Sequence, residues 1–507
     1  MVNRRRHGYK RKVTASAAQR LILKGGGSAA LGFLIRLGAR ILFVVMAGRL
    51  FGVALFGAFT IAVAVVELAV TLGGAGMKRQ LFKLLDEEKG GRSPPHILLD
   101  GIVLVTLASL ACMAPVMLGA VLIAEDAMAD KTAMALLLLA PMILGQSLLD
   151  LLLAATRWTH LMRHQVWARS IIEPYAGVAA AALAWALGFQ ATGLIIGYWA
   201  GTLGALFYAM VGARQCLGPF RLGSYRLSPA RLWFVVRQTA LPTLSDFTSA
   251  LAGRLDLYLV GLLLGESPAG IYGMARQVRT PIRQVRQSFD GLLTPIVSRT
   301  LSLAGPAQTG QATASATRLI LAIQLPMLIG LVAIGQPLLH WIGPEFAAGY
   351  LAMLLLAAAE AIQGAYGVSD LILLYRRPAF ILWLTAIGAA VNVAACVALV
   401  PRFGVNGAAA AALIAYVAAN LARRLFLARG FAIHVPLTYA SAPLLAGAAG
   451  AAVAVAFAGM PGLAFVTGIL VYAVTLGTAL RLGGASLSMT HFVIDAEAEE
   501  IEPKALS

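Results

Sequence analysis

Seven arginines fall inside stretches of sequence that are otherwise apolar: Arg36 and Arg40, Arg254, and the run Arg276, Arg279, Arg283 and Arg286. Each carries a permanently charged, planar guanidinium whose N–H fork matches the oxygens of a phosphate or carboxylate. Arg36 and Arg40 are four residues apart and share a helical face. In GIYGMARQVRTPIRQVRQSFDGLLTPIVS the last four arginines repeat at helical spacing. Thr280, Gln287 and Asp290 fall on their side, and Val278, Ile282, Val285 and Phe289 fall opposite. Such a stripe suits the wall of a water-filled cavity that receives an anion, and a pyrophosphate fits it well. A lipophilic cation would want carboxylates and aromatic walls instead.

The surroundings make those charges informative. Of 507 residues, 60% are hydrophobic and 12% charged, and the mean hydropathy is +0.82. That is more apolar surface than a soluble domain can bury, so lipid is the expected solvent. A hydrocarbon core about 30 Å thick takes about 20 apolar residues per helical crossing. Backbone groups in hydrocarbon must be satisfied within their own segment or in a closed barrel, and these runs lack the alternation of barrel strands, which predicts an all-α polytopic membrane protein. An ionisable group there costs about 2.5–3.5 kcal/mol on insertion scales and calls for a reason.

Spans are predicted near 28–49, 54–77, 98–123, 132–156, 168–188, 191–213, 239–264, 269–298, 318–341, 349–374, 378–400, 404–427, 436–458 and 462–482, about fourteen in all. Alternate loops then carry the bases: Arg4 to Lys24, Lys78 to Arg92, Arg157 with Arg163, Arg214 to Arg237, Arg376 with Arg377, and Arg423 to Arg429. The positive-inside rule places these loops and both termini in the cytoplasm of a bacterial inner-membrane protein. No cleavable signal peptide is expected, since the first apolar run continues into a full span. The divisions expected are a basic tail (1–27), a first lobe of six spans (28–213), a basic linker (214–238), a second lobe of six (239–427), two further spans (428–484) and an acidic tail (485–507). Two halves with a midplane site between them suit a secondary transporter.

Other readings of the charges compete. Residues 270–290 could form a basic helix on the membrane surface, but this would reverse the parity of later loops and conflict with the clusters at Arg376 and Arg423. The arginines could form structural ion pairs with Asp246, Asp256, Asp290, Glu67, Glu360 or Asp370. Terminal arginines such as Arg49 would snorkel to the interface. Among the acids, Asp246, Asp256, Asp290 and Glu360 are the candidates for coupling to an ion gradient.

Several functions are disfavoured. The net charge of +18 sits mainly beside spans, where it reports topology, so no nucleic-acid partner is expected. Cys112, Cys216 and Cys396 are scattered, with no CxxC spacing. The pair His160 and His164 lies among arginines at an interface and reads as structural, so no metal site is expected. There is no GxxxxGK[ST] loop, no cofactor is expected, and no large loop carries acid–base groups, so the chain does not read as an enzyme.

Four stretches carry a family resemblance: RLGARILFVVMAGRLFGVALFGAFTIAVAVVEL, LPTLSDFTSALAGRLDLYLVGLLLGESPAGIYGMARQV, the GPEF turn at 343–346, and VNVAACVALVPRFGVNGAAAAALIAYV at 391–417. In this order the chain resembles, over nearly its whole length, the polysaccharide-transporter branch of the multidrug/oligosaccharidyl-lipid/polysaccharide exporter superfamily. That branch includes Wzx-type O-antigen flippases and is related to lipid II flippases. The resemblance implies fourteen helices, two lobes of six in a V, and alternating access to a cavity lined largely by the first, second, seventh and eighth helices. It implies an undecaprenyl-diphosphate-linked saccharide as substrate, moved from the cytoplasmic to the periplasmic leaflet among membrane lipids, with a polysaccharide polymerase as candidate partner. In the lipid II branch, arginines on the first helix and near the start of the eighth serve the cavity. Arg36 and Arg276 occupy similar places, Arg40 only loosely, and Arg279, Arg283 and Arg286 depart from the small and apolar residues usual there. The alternative is a cation-coupled multidrug antiporter of the related branch, which usually has twelve helices and acidic or aromatic sites.

Overall fold

A computed structural model of the chain describes residues 35–87, 94–123, 130–159, 163–218, 228–289, 306–366, 369–370, 372–373, 378–436 and 438–482. Among them all regular structure is helical. The helical stretch Ile35–Gly73 has 39 residues, which at the helical rise is about 58 Å, twice a bilayer core. It is therefore two spans, α1 (35–51) and α2 (Gly52–Gly73). They are divided where a π turn at Ala47–Phe51 meets Gly52, whose φ of 74° is one that side chains rarely adopt. Pro378–Phe431 divides in the same way at Gly404 (φ 55°), into 378–403 and 405–431.

After α2 come a short amphipathic helix α3 (Met77–Glu87) and α4 (Pro94–Ile123). Next are α5 (Lys131–Leu139) and α6 (Met142–Trp158), one span bent by 43° at Ala140–Pro141. Asp130 caps α5, accepting from the Ala133 N–H at 2.8 Å. Helix α7 (163–186) contains a second π turn at Trp167–Ile172, and α8 is Gly193–Leu217. Then α9 (Pro229–Ala252) and α10 (Leu255–Leu264) form a span bent by 49°, followed by α11 (Glu266–Val278) and α12 (280–289). The remainder is α13 (Pro306–Ile342), α14 (Tyr350–Tyr366), α15 (378–403), α16 (405–431), α17 (Thr438–Ala456) and α18 (Pro461–Leu482).

Eight of these helical stretches are long and apolar enough to cross a membrane singly, and the two bent pairs make ten. Dividing the two over-long stretches, and adding α7 and the α11–α12 pair, which arginines and glutamates make too polar to stand out by hydropathy, brings the spans among the described residues to fourteen. The protein is an all-α, multi-pass membrane protein. Leu118, Leu122, Phe207, Leu262, Trp383 and Val474 lie exposed on its outer faces, an arrangement that water would penalise and lipid does not.

The core that positions the charges is continuous across both halves of the chain. Phe51, Phe56, Ile143, Leu257, Tyr272, Phe346 and Val400 belong to one buried cluster. Helix α2 is its pivot, in contact with α4, α5 and α6 on one side and with α9, α10 and α11 on the other. Its crossing with α11 is very close, since a Cβ on Gly57 would lie 1.9 Å from the Glu266 carbonyl oxygen. Glu266 also accepts from the Thr132 N–H at 3.0 Å and its hydroxyl at 2.8 Å. At the other end of α2, Gln80 bonds Gln238, and Arg231 pairs with the buried Asp100 at 2.8 Å.

Candidate functional site

The arginine run does not form one stripe on one helix. Helix α11 ends at Val278, Arg279 forms a turn, and α12 starts at 280. Pro281 has no N–H to give the Gln277 carbonyl, which interrupts the ladder of helical hydrogen bonds at this point. Arg279 thereby turns into the interior, where its Nη1 meets Glu360 Oε1 of α14 at 2.6 Å, both residues buried. Arg276 is held by Asp256, which also accepts from the buried Tyr272 hydroxyl, and it donates to the Gly253 carbonyl at 2.9 Å. Arg254, in the bend between α9 and α10, pairs with Glu67 of α2. Three of the seven arginines thus have dedicated carboxylates, and each pair ties α10, α11 or the bend before them to another helix.

The others stand differently. Arg40 is half-buried and donates to Gln277, and its Nε is buried with no partner among the described residues. Arg283 is exposed on α12 and forms no ion pair among the described residues. Arg36 is exposed at the start of α1 and donates to Ser170 at 2.9 Å. Arg36, Arg283, Arg279 and Glu67 all lie within electrostatic range of Arg40. Glu67 and Glu360 pair with Arg254 and Arg279, and Arg36, Arg40 and Arg283 form no ion pair among the described residues. Arg286 is half-buried on α12 and Asp246 half-buried on α9, while Asp290 lies outside the described residues. Arg49 sits over the Trp341 ring, 4.3 Å from its centroid, and donates to the Trp341 carbonyl at 2.9 Å.

A second charged cluster occupies the first half of the chain. Arg169, in the π turn of α7, donates to Glu173 Oε1 and Oε2, each at 2.9 Å, and to Gln146 Oε1 at 2.8 Å, and it pairs with Asp150 of α6. Gln146 continues the network to Glu173 at 2.9 Å and to Thr202 at 2.8 Å. Lys78 reaches Asp150 at 3.5 Å from α3. Beside this network is a cavity of about 360 Å³ lined by Arg36, Lys78, Asp150, Leu153, Arg157, Gln165 and Arg169. Of these only Arg36 belongs to the set predicted from sequence. The missed residues had a readable signal, because Asp150, Arg169 and Glu173 are ionisable groups inside apolar spans and Arg169 and Glu173 share a helical face at i,i+4. π turns recur at functional sites, and this one carries both Arg169 and the Ser170 that Arg36 engages.

Both clusters bring several arginines together, some paired with carboxylates and some without an ion pair among the described residues. Residues 22–301 match the sequence family described as polysaccharide biosynthesis protein, which is more than half of the chain. The chain belongs to that family. Among solved structures, the fold matches "Lipid II flippase MurJ, inward closed conformation", with a TM-score of 0.74 and 15% identity, covering 89% of this chain and 98% of that one. It also matches an inward-facing multidrug resistance MATE family transporter of the MOP superfamily, with a TM-score of 0.65 and 12% identity, over 79% of this chain and 98% of that one. An outward-facing MATE transporter of the same superfamily matches at a TM-score of 0.51 and 11% identity, over 79% and 94%. No curated protein matches the chain in sequence. The fold is one that these solved transporters share.

Proposed function

We propose that the protein flips a polyprenyl-diphosphate-linked oligosaccharide across the bacterial inner membrane for surface polysaccharide biosynthesis, by alternating access through an arginine-lined cavity. The observation that carries this reading is the group Arg36, Arg40 and Arg283, three positive charges gathered between α1 and α12 without carboxylates of their own. A diphosphate supplies the missing negative charge, and Arg40's unfilled Nε is a donor ready for it. The lipid tail stays in the bilayer while the two six-helix lobes rock around the held head group.

In this reading the matched pairs Arg276–Asp256, Arg279–Glu360 and Arg254–Glu67 are the rigid frame around which the unmatched cations work. Asp246, Asp256, Asp290 and Glu360 are the candidate groups for ion coupling, and of these Asp256 and Glu360 are engaged by Arg276 and Arg279. Both termini face the cytoplasm, and a polysaccharide polymerase consumes the product outside.

The test is lipid analysis of a deletion strain. Accumulation of a polyprenyl-diphosphate-linked oligosaccharide on the cytoplasmic side, with loss of surface polysaccharide, is the expected outcome, and the mass identifies the sugar. Normal glycolipids with altered sensitivity to cationic drugs would overturn it in favour of a cation-coupled multidrug antiporter.

A further inference from the structure

The cavity bounded by α1, α3, α6 and α7 is distinct from the zone around Arg40 and Arg283, and its polar groups are incompletely used. Four cations (Arg36, Lys78, Arg157, Arg169) meet two carboxylates (Asp150, Glu173), an excess of two positive charges. Arg169 is fully engaged by Asp150, Glu173 and Gln146 and serves as scaffold. The other three have donors to spare. Lys78 has a mostly exposed ammonium whose ion pair with Asp150 is long, at 3.5 Å. Arg36 spends one nitrogen on Ser170. Arg157 faces the Phe82 ring at 5.9 Å, and its Nε is buried with no partner among the described residues.

The lining also holds an unfilled acceptor. Gln165 Oε1 is buried without a partner among the described residues, a condition that buried polar groups rarely tolerate. A sugar phosphate brings several ring hydroxyls that can donate to it, whereas inorganic phosphate has only the acidic protons on its own oxygens, which the surrounding cations disfavour. A volume of about 360 Å³ is within the range of small-molecule sites. Arg36 lines this cavity and also lies within electrostatic range of Arg40, so the two cationic zones are contiguous.

We propose that the cavity is a docking site for a sugar-phosphate head group, occupied before that group passes by way of Arg36 to Arg40 and Arg283. This rests on the flipping function proposed above. Lys78 and Arg157 bind the phosphate, Gln165 reads a sugar hydroxyl, and the Arg169 network holds α6 and α7 in register around them. The loop charges that orient the chain put Lys78 at the cytoplasmic end, where a head group made in the cytosol arrives.

The test uses the full chain in phosphatidylcholine nanodiscs, titrated calorimetrically with glucose 1-phosphate, inorganic phosphate and farnesyl diphosphate. Saturable binding of all three is expected, with glucose 1-phosphate the tighter of the two soluble anions. Arg157→Gln and Lys78→Gln should each weaken glucose 1-phosphate by about tenfold, the worth of one hydrogen bond to a charged group. Arg481→Gln, at the exposed end of α18, should leave it unchanged, and Gln165→Leu should reduce it toward the affinity of inorganic phosphate. Arg157→Lys, which keeps the charge, is the folding control and should retain most of the binding. The absence of saturable binding to the wild type, or an equal loss in Arg481→Gln, would overturn the proposal. So would abolition of glucose 1-phosphate binding when phosphatidylglycerol is added to the nanodiscs, which would assign the site to bulk lipid head groups. Binding at this cavity with normal glycolipids in the deletion strain would refute the flipping function and leave the site standing; no binding with glycolipid accumulation would do the reverse.

Discussion

The charges around α10–α14 and those around α1, α6 and α7 differ in how they are balanced. In the first region Arg254, Arg276 and Arg279 each meet one carboxylate, and Arg279 and Glu360 are both buried. In the second, the cations outnumber the carboxylates and enclose a cavity. Charge placed in a membrane protein therefore has two uses. Where it is matched in place it fixes one helix against another, and where it is left over it is, under the function proposed above, available to a ligand. Arg40 and Arg283 stand between the two regions and belong with the unmatched set.

The most disruptive way to break this contrast is to unmatch a scaffold pair. Glu360→Gln leaves the Arg279 guanidinium buried beside a neutral amide, and removing one partner of a buried ion pair costs about 3–5 kcal/mol. The expected result is a marked fall in the amount of folded protein in the membrane, read by quantitative immunoblotting and by thermal unfolding in detergent. Normal abundance and unfolding temperature would show that this pair is not a scaffold. Next in size, Arg40→Gln removes an unmatched charge and should lower surface polysaccharide export by about tenfold or more while leaving abundance unchanged, since the chain loses no partner for a buried carboxylate. A fall in abundance equal to that of Glu360→Gln would place Arg40 with the scaffold.

A smaller effect is expected at the seam between α3–α4 and α9. Asp100→Asn weakens the pair with Arg231 but leaves the Gln80–Gln238 bond in place. Hydrogen exchange of α3 should rise by about tenfold or less with export still detectable, and unchanged protection would show that the seam is held by other contacts. The smallest change should come from Lys78→Ala, a largely exposed side chain. Thermal unfolding should be indistinguishable from that of the wild type, whereas a substantial drop would mean that Lys78 is structural.

Much of the fold could be read in the sequence, because span length and loop charge follow directly from bilayer thickness and the cost of bare backbone in lipid. The break at Gly52 falls between predicted spans and that at Gly404 on the first residue of one, and the charged helices α7 and α11–α12 overlap the predicted spans 168–188 and 269–298, whose number agrees with the alternation of basic loops. The charge partners were less accessible. Helical spacing put Arg276, Arg279, Arg283 and Arg286 on one face, but at the turn before Pro281 Arg279 meets Glu360, 81 residues further along the chain. No local pattern reports such a partner. Ion pairing was a competing expectation for these arginines, and Asp256, Glu67 and Glu360 show which of them it describes. The cavity beside Arg169 was missed because its cations come from four separate helices, and the basic loop residues Lys78 and Arg157 carried only topological meaning until α3 and α6 were seen to bring them together.

If the unmatched arginines are the working ones, a chromosomal Arg40→Gln/Arg283→Gln double replacement should abolish export without loss of the protein. Lipid-linked oligosaccharide should be quantified by mass spectrometry alongside the amount of the protein in the inner membrane. The expected result is accumulation of a polyprenyl-diphosphate-linked saccharide and loss of surface polysaccharide at wild-type protein abundance. Normal surface polysaccharide, with no accumulated glycolipid, would contradict it.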